Sequence, residues 1–135
     1  MPIRYVINRA RRVVFTAYSG RVAAEEMLQN VKRLSTDSDF DSAFSELIDL
    51  HECSGTDATV QHLRYFAEED DPFSPNARRA VFAPSQLSFG MARMYESLLG
   101  EAEAANFAVF RTMEEACQWL GLEQWSLLLA ELASR

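Results

Sequence analysis

The sequence SELIDL, residues 45–50, decides the fold that the chain predicts. Its apolar residues Leu47, Ile48 and Leu50 would lie on both faces of an extended chain, which is typical of a central strand covered by helices on one or both sides. Residues 51–59 are mostly small and polar, so we expect a loop there that leads into a helix. In strand–helix–strand proteins the carboxyl end of such a strand is where a ligand or partner usually binds.

The flanking sequence alternates between the periods of strands and helices. Residues 3–7 and 12–18 predict an antiparallel hairpin, and Ser19-Gly20 is expected to end its second strand. Further strands are predicted at 80–83 and 106–110. Helices are expected between the strands and after the last one, with these residues as N-caps: Asp57 or Thr59, Ser85 or Ser88, and Thr112 in a capping box with Glu115. The order β-β-α-β-α-β-α-β-α predicts an α/β sandwich with mostly parallel strands.

Composition and charge narrow the classes of function. Hydrophobic residues make up 48% and charged residues 24%, the balance of a soluble globular protein. Thirteen basic against 20 acidic residues give a net charge of −7, which argues against a nucleic-acid partner. No apolar run reaches the roughly 18 to 20 residues that span a bilayer. The N-terminus carries no apolar signal sequence, so we expect a cytoplasmic protein with Cys53 and Cys117 as free thiols.

Several clusters could carry chemistry, but none matches a known motif. His51, Cys53 and His62 are of the types that bind zinc, although no familiar zinc spacing is present. The acidic run at residues 68–71 is expected to be a solvated helix end. No glycine-rich phosphate loop and no nucleophile–base pair is supported by spacing. The sequence therefore predicts a non-enzymatic protein without a metal or cofactor.

Two apolar stretches have alternative interpretations. Phe89, Met91, Met94 and Tyr95 recur at helical spacing, which predicts either core packing or the lining of an apolar pocket. The C-terminal stripe of Trp125, Leu128, Leu129 and Leu132 would cover the sheet or form a dimer or membrane-surface face. We expect a main domain over residues 1–122, followed by an amphipathic helical extension over 123–135.

The order and spacing of several short segments resemble the SpoIIAA-like family, bacterial proteins grouped with STAS domains (sulfate transporter and anti-sigma-factor antagonist). The resemblance covers residues 12–122 and is carried by residues 14–20 with Glu25-Glu26, and by residues 46–50, 71–75, 79–84, 89–95 and 110–116. It implies a mixed sheet of four or five strands with helices packed largely on one side. The wider fold also resembles the CRAL-TRIO domain of lipid-transfer proteins, which holds an apolar ligand.

The resemblance also implies two alternative functions. STAS antagonists bind an anti-sigma kinase and are switched by phosphorylation of an Asp-Ser-Ser-Gly motif, which here would fall on Asp57-Ala58-Thr59-Val60. Asp57 and Thr59 fit that motif, whereas Ala58 and Val60 depart from it. From this resemblance we expect a regulatory module that binds a protein partner through Ser54, Asp57 and Thr59. The alternative is a carrier of a lipid or other apolar molecule lined by Phe89, Met91, Met94 and Tyr95. A homodimer would cover the sheet edges and the apolar tail.

Overall fold

A single five-stranded mixed sheet forms the centre of the computed structural model, which describes residues 2–69, 71–123 and 125–133. The strands are β1 (Ile3–Asn8), β2 (Val13–Val22), β3 (Ser45–Thr56), β4 (Arg79–Phe82) and β5 (Phe107–Phe110). Their spatial order is the same as their order along the chain. β1 pairs antiparallel with β2, and every other pair is parallel. The predicted mixed α/β sheet is therefore confirmed.

Six helices surround the sheet among the described residues. They are α1 (Ala24–Ser35), α2 (Val60–Glu68), α3 (Gln86–Ser97), α4 (Glu101–Ala105), α5 (Met113–Leu120) and α6 (Trp125–Ala133). Thr59, Ser85 and Thr112 are the N-caps of α2, α3 and α5, each accepting a hydrogen bond from a backbone N–H of the first turn. The short helix α4 was not predicted. Its N-cap is Gly100.

The two faces of the sheet carry separate cores. On one face, Met27 of α1, Phe66 of α2 and Ala92 of α3 pack with Leu50 and Val81 of the sheet. This arrangement follows from the topology, because successive right-handed crossovers in one direction place their helices on the same face. On the opposite face, Ala116 and Cys117 of α5 pack with Phe15 and Leu47, and Trp125 and Leu129 of α6 pack against the same cluster. The side chains of Leu128 and Leu132, predicted in the same stripe, lie outside the described residues.

Strands β2 and β3 are longer than the sequence predicts. The expected end of β2 at Ser19-Gly20 and the expected loop from residue 51 were both wrong, because β2 runs to Val22 and β3 to Thr56. The two extensions pair with each other through register shifts, and Gly20 supports the irregular backbone at a φ of 68°. The Thr56 hydroxyl donates a 2.6 Å hydrogen bond to the Val22 carbonyl and fastens the ends of both strands. Mutual pairing satisfies backbone groups that a loop would leave to water.

Candidate ligand-binding cavity

A cavity of about 460 Å³ lies between the sheet and helices α1, α2 and α3. Its walls are mainly apolar. Met27 comes from α1, Leu63 and Phe66 from α2, and Met91, Met94 and Tyr95 from α3; the sheet contributes Ile48, Leu50, Val81 and Phe107. Ligand sites in proteins have this composition, with a few polar groups in an apolar lining, and a volume of about 300 to 1,000 Å³.

The polar part of the lining is a buried charge cluster of Glu46, Arg79 and Asp71. One Glu46 oxygen, Oε1, accepts hydrogen bonds from Arg79 Nε at 3.1 Å and Nη2 at 3.0 Å, and Arg79 Nη1 donates to Asp71 Oδ2 at 2.7 Å. The other Glu46 oxygen accepts from the Thr16 hydroxyl at 2.8 Å. The side chains of Glu46, Arg79 and Asp71 are only 6%, 13% and 14% exposed. Two carboxyl groups therefore share one guanidinium away from bulk water.

The sheet register brings this cluster together. Glu46 on β3 and Arg79 on β4 are direct partners in the parallel pair, so their side chains leave the same face next to each other. Asp71 follows α2, and its second oxygen accepts a hydrogen bond from the Phe73 N–H at 3.0 Å. The Arg79 guanidinium also stacks 4.7 Å from the centre of the Phe73 ring. Each member is thus held by at least two neighbours.

Burial and neighbouring charges together shift the pKa values of the ionisable groups in the site. It raises the pKa of Glu46, with the charge of Arg79 and the hydrogen bond from Thr16 acting in the opposite direction. Burial alone would lower the pKa of Arg79, but the charges of Glu46 and Asp71 outweigh it and raise the pKa. Burial also raises the pKa of Tyr18, and raises that of Tyr95 to about 12. Both tyrosines line the cavity and keep their hydroxyl protons at neutral pH.

Exposed apolar side chains mark the opening of the cavity. Leu87 and Met94 on α3 line it, although they are 55% and 46% exposed to solvent. On the neighbouring helix α2, Val60 and Tyr65 are exposed as well. The cavity therefore reaches the surface at the edge between α2 and α3.

The structure brings three of the four predicted pocket residues together. Met91, Met94 and Tyr95 line the cavity. Phe89 is not in its lining: it packs at the edge of the core on the α1–α3 face, and the Arg111 guanidinium lies 4.1 Å from its ring centre. An α3 residue two positions before Met91 points to another side of the helix, because successive residues are about 100° apart.

The predicted partner-binding residues are exposed, and two of them have structural contacts. Asp57 Oδ1 accepts a 2.9 Å hydrogen bond from the N–H of Ala24 at the start of α1. Thr59 caps α2, with its hydroxyl accepting from the His62 N–H at 3.2 Å. Ser54 is exposed on β3. Thr56 and Ala58, between these residues, line the cavity, so the predicted segment adjoins its rim.

The residues considered for a zinc site do not converge. His51 is exposed on the α5–α6 face, where its Nδ1 lies 2.7 Å from Asp49 Oδ1 and its Nε2 lies 3.3 Å from Glu52 Oε1. Cys53 is buried in the core on the other face, because the register shift in β3 breaks the alternation of side chains. The prediction that His51 and Cys53 could face the same way was wrong. Over residues 2–69, 71–123 and 125–133, no three His, Cys, Asp or Glu residues are grouped so as to hold a metal ion.

The charge cluster itself was missed by the sequence analysis. The acidic run was expected to be solvated, which holds for Glu68 and Glu69 but is wrong for Asp71, since Asp71 turns inward to Arg79. The signal that could have revealed the cluster is Glu46, a charged residue inside a buried apolar strand. Such a residue is almost never fully buried unless it is paired.

The comparisons with known proteins agree with this architecture. The sequence matches no protein-family model and no curated protein. The chain has a SpoIIAA-like fold, as the sequence predicted. A crystal structure similar to it is that of an uncharacterized protein of the DUF3478 family with a SpoIIAA-like fold, from Shewanella loihica PV-4. The TM-score is 0.58 at 18% identity, and the match covers 87% of this chain and 93% of that chain. At this identity the likeness establishes the fold alone.

Proposed function

We propose that this protein is a non-enzymatic carrier or sensor that binds an apolar or amphipathic small molecule between the sheet and helices α1 to α3. The observation that carries the proposal is the cavity of about 460 Å³ with its mainly apolar lining. The interior of a folded domain is normally close-packed. The residues that line an empty cavity lack the van der Waals contacts that they would otherwise make. A bound ligand would supply those contacts.

The helix at the opening supports the same function. Among the described residues of α2, Phe66 alone is buried, whereas Val60 and Tyr65 are exposed to solvent. An element with so little buried apolar surface opens at a low free-energy cost. Movement of α2 away from α3 would widen the entrance beside Leu87 and Met94, which lets an apolar ligand enter without unfolding the sheet.

Filling the cavity tests the proposal. Leu63→Trp places a larger side chain on the α2 wall, whereas Leu127→Trp makes the same change at an exposed position of α6. Binding is measured by the fluorescence of an uncharged apolar dye, N-phenylnaphthylamine, in titrations of the purified protein. We expect Leu63→Trp to weaken dye binding about tenfold or more, since the added volume competes with the ligand. The Leu127→Trp variant should bind like the wild type.

Native mass spectrometry of protein purified from its source provides a second measurement. Retained ligand would appear as an added mass that is lost on denaturation. The proposal is abandoned if the protein binds neither the dye nor any member of a lipid panel, or if both variants bind the dye as the wild type does. Circular dichroism shows whether each variant is folded before its binding is compared.

A regulatory interaction with a protein partner is the second candidate function. Its support is the exposure of Ser54, Asp57 and Thr59 beside the rim of the cavity, where occupancy by a ligand would alter the surface that a partner reads. A phosphate on Thr59 would also meet the positive end of the α2 dipole. The phosphorylation switch is tested by measuring the intact mass of the protein after incubation with cell lysate and ATP. Phosphorylation should persist in Thr59→Ser and vanish in Thr59→Ala, and absence of any phosphorylated form would rule out the switch.

A further inference from the structure

We infer that the ligand carries an uncharged polar end group that accepts hydrogen bonds, such as a hydroxyl or carbonyl, and that this group lies against Tyr18, Tyr95 and the Glu46–Arg79–Asp71 cluster. The inference rests on the proposed function, because it concerns the polar part of the same cavity. It excludes fatty-acid anions and cationic amphiphiles as the preferred class.

The side chains around the polar end determine which atoms the ligand must supply. The oxygens of Glu46 and Asp71 already accept hydrogen bonds from Thr16, Arg79 and the Phe73 backbone. Within the described part of the chain, no group accepts the hydroxyl proton of either Tyr18 or Tyr95, and both side chains line the cavity. Both hydroxyls line the cavity and have no acceptor among the described residues, so a ligand acceptor within reach of them would gain hydrogen bonds.

The charge balance of the cluster determines which end groups are rejected. Two carboxyl groups face one guanidinium, so the cluster offers no net positive charge to an anion, whether Glu46 is ionised or protonated. A carboxylate ligand would lose its hydration without gaining a counter-charge. A cation would meet at most one net negative charge, on carboxyl oxygens that already accept hydrogen bonds from Arg79, Thr16 and the Phe73 N–H, and it would lie against the hydroxyl donors. A neutral acceptor avoids both costs.

The test compares three ligands with the same tail: decanol, decanoate and decyltrimethylammonium. Each displaces N-phenylnaphthylamine from the wild-type protein at pH 7.5, where decanoate is ionised. We expect decanol to bind about tenfold or more tightly than either charged compound, because burial of an unpaired charge is unfavourable. Equal or tighter binding of decanoate or decyltrimethylammonium would overturn the inference.

Removal of single hydroxyl groups locates the end group. Tyr18→Phe and Tyr95→Phe keep the ring and its packing, so each should weaken decanol binding about fivefold more than it weakens dye binding. Tyr5→Phe is the matched control and should leave decanol binding unchanged, because Tyr5 does not line the cavity and its hydroxyl donates to Asp37. Unchanged decanol binding in both cavity variants would overturn the assignment of the end group to these tyrosines.

The outcomes separate this inference from the proposed function. If the dye binds in the cavity but the three decyl compounds bind equally, the end-group inference fails and the carrier function stands. If neither the dye nor any decyl compound binds to the wild-type protein, the proposed function fails and the inference falls with it.

Discussion

Arg79 is the residue whose removal should destabilise the protein most among the members of the charge cluster. Its guanidinium bonds both Glu46 and Asp71, and its side chain is 13% exposed. In Arg79→Met the two carboxyl groups would stay buried without their counter-charge. We expect the free energy of unfolding to fall by about 3 to 5 kcal/mol, measured by urea denaturation monitored by circular dichroism.

Arg93→Met is the matched control for that substitution. Arg93 forms an ion pair with Glu96 on the surface of α3, and its side chain is 61% exposed. An exposed pair of this kind contributes about 0 to 1 kcal/mol, so the control should unfold close to the wild-type urea concentration. Similar losses in the two variants would mean that the buried cluster contributes no more to stability than a surface pair.

The raised pKa of Glu46 predicts an unusual pH dependence of stability. Because the carboxyl binds its proton more tightly in the folded state than in the unfolded state, its contribution to stability is fully present below its ordinary pKa of 4.5. That contribution is lost as the pH rises from 4.5 through the folded-state pKa. Glu46→Gln has no such group and retains the shape of the side chain. We expect the free energy of unfolding of the wild type, relative to Glu46→Gln, to decrease across this window.

The measurement is urea unfolding of both proteins at a series of pH values from 4 upward. The difference between the two, rather than the wild-type curve alone, isolates Glu46 from the other titrating groups. A difference that grows with pH would show that Arg79 and Thr16 outweigh burial, and that the pKa of Glu46 is lowered in the folded protein.

Individual residues show where prediction from sequence succeeds and where it stops. Met91, Met94 and Tyr95 share a cavity because helical spacing places them together, and that spacing is local information. The contact between Glu46 and Arg79 depends instead on the register of β3 against β4, across 33 residues of chain. Local patterns do not specify register, so they can indicate Glu46 as a buried charge but cannot identify Arg79 as its partner.

At the scale of elements, the same limit explains the length of β2 and β3. Ser19-Gly20 and the segment 51–56 contain the small and polar residues typical of turns, so both strands were predicted to end there. Each segment continues as a strand only because the other lies beside it, with Arg21 paired to Gly55 and Val22 to Thr56. Tertiary pairing overrides weak local preferences in this way. Helix caps depend on neighbouring residues alone: Thr112 was predicted, and Thr59 was one of the two candidates for α2.

For the whole molecule, the two faces of the sheet have different physical characters. The α5–α6 face has a core that includes Ala116 and the free thiol of Cys117, whose pKa burial raises to about 11, and a more polar hollow beside Asp49 and His51. The α1–α3 face contains the cavity and the charge cluster. The five-stranded sheet can stay rigid while a helix on the α1–α3 face moves over the ligand. No helix over residues 2–69, 71–123 and 125–133 is long and apolar enough to cross a bilayer.

This division predicts a gradient of local stability that hydrogen exchange can measure. The amides of α2 should exchange about 100 times faster than those of the central strand β3, since α2 buries little apolar surface and lies over the cavity. Saturation with N-phenylnaphthylamine should slow exchange in α2 and α3 and leave α5 unchanged, because a ligand stabilises the closed state that it contacts. Equal protection of α2 and β3 in the free protein would argue against α2 as the moving element. Slowing that is centred on α5 would place the ligand on the opposite face of the sheet.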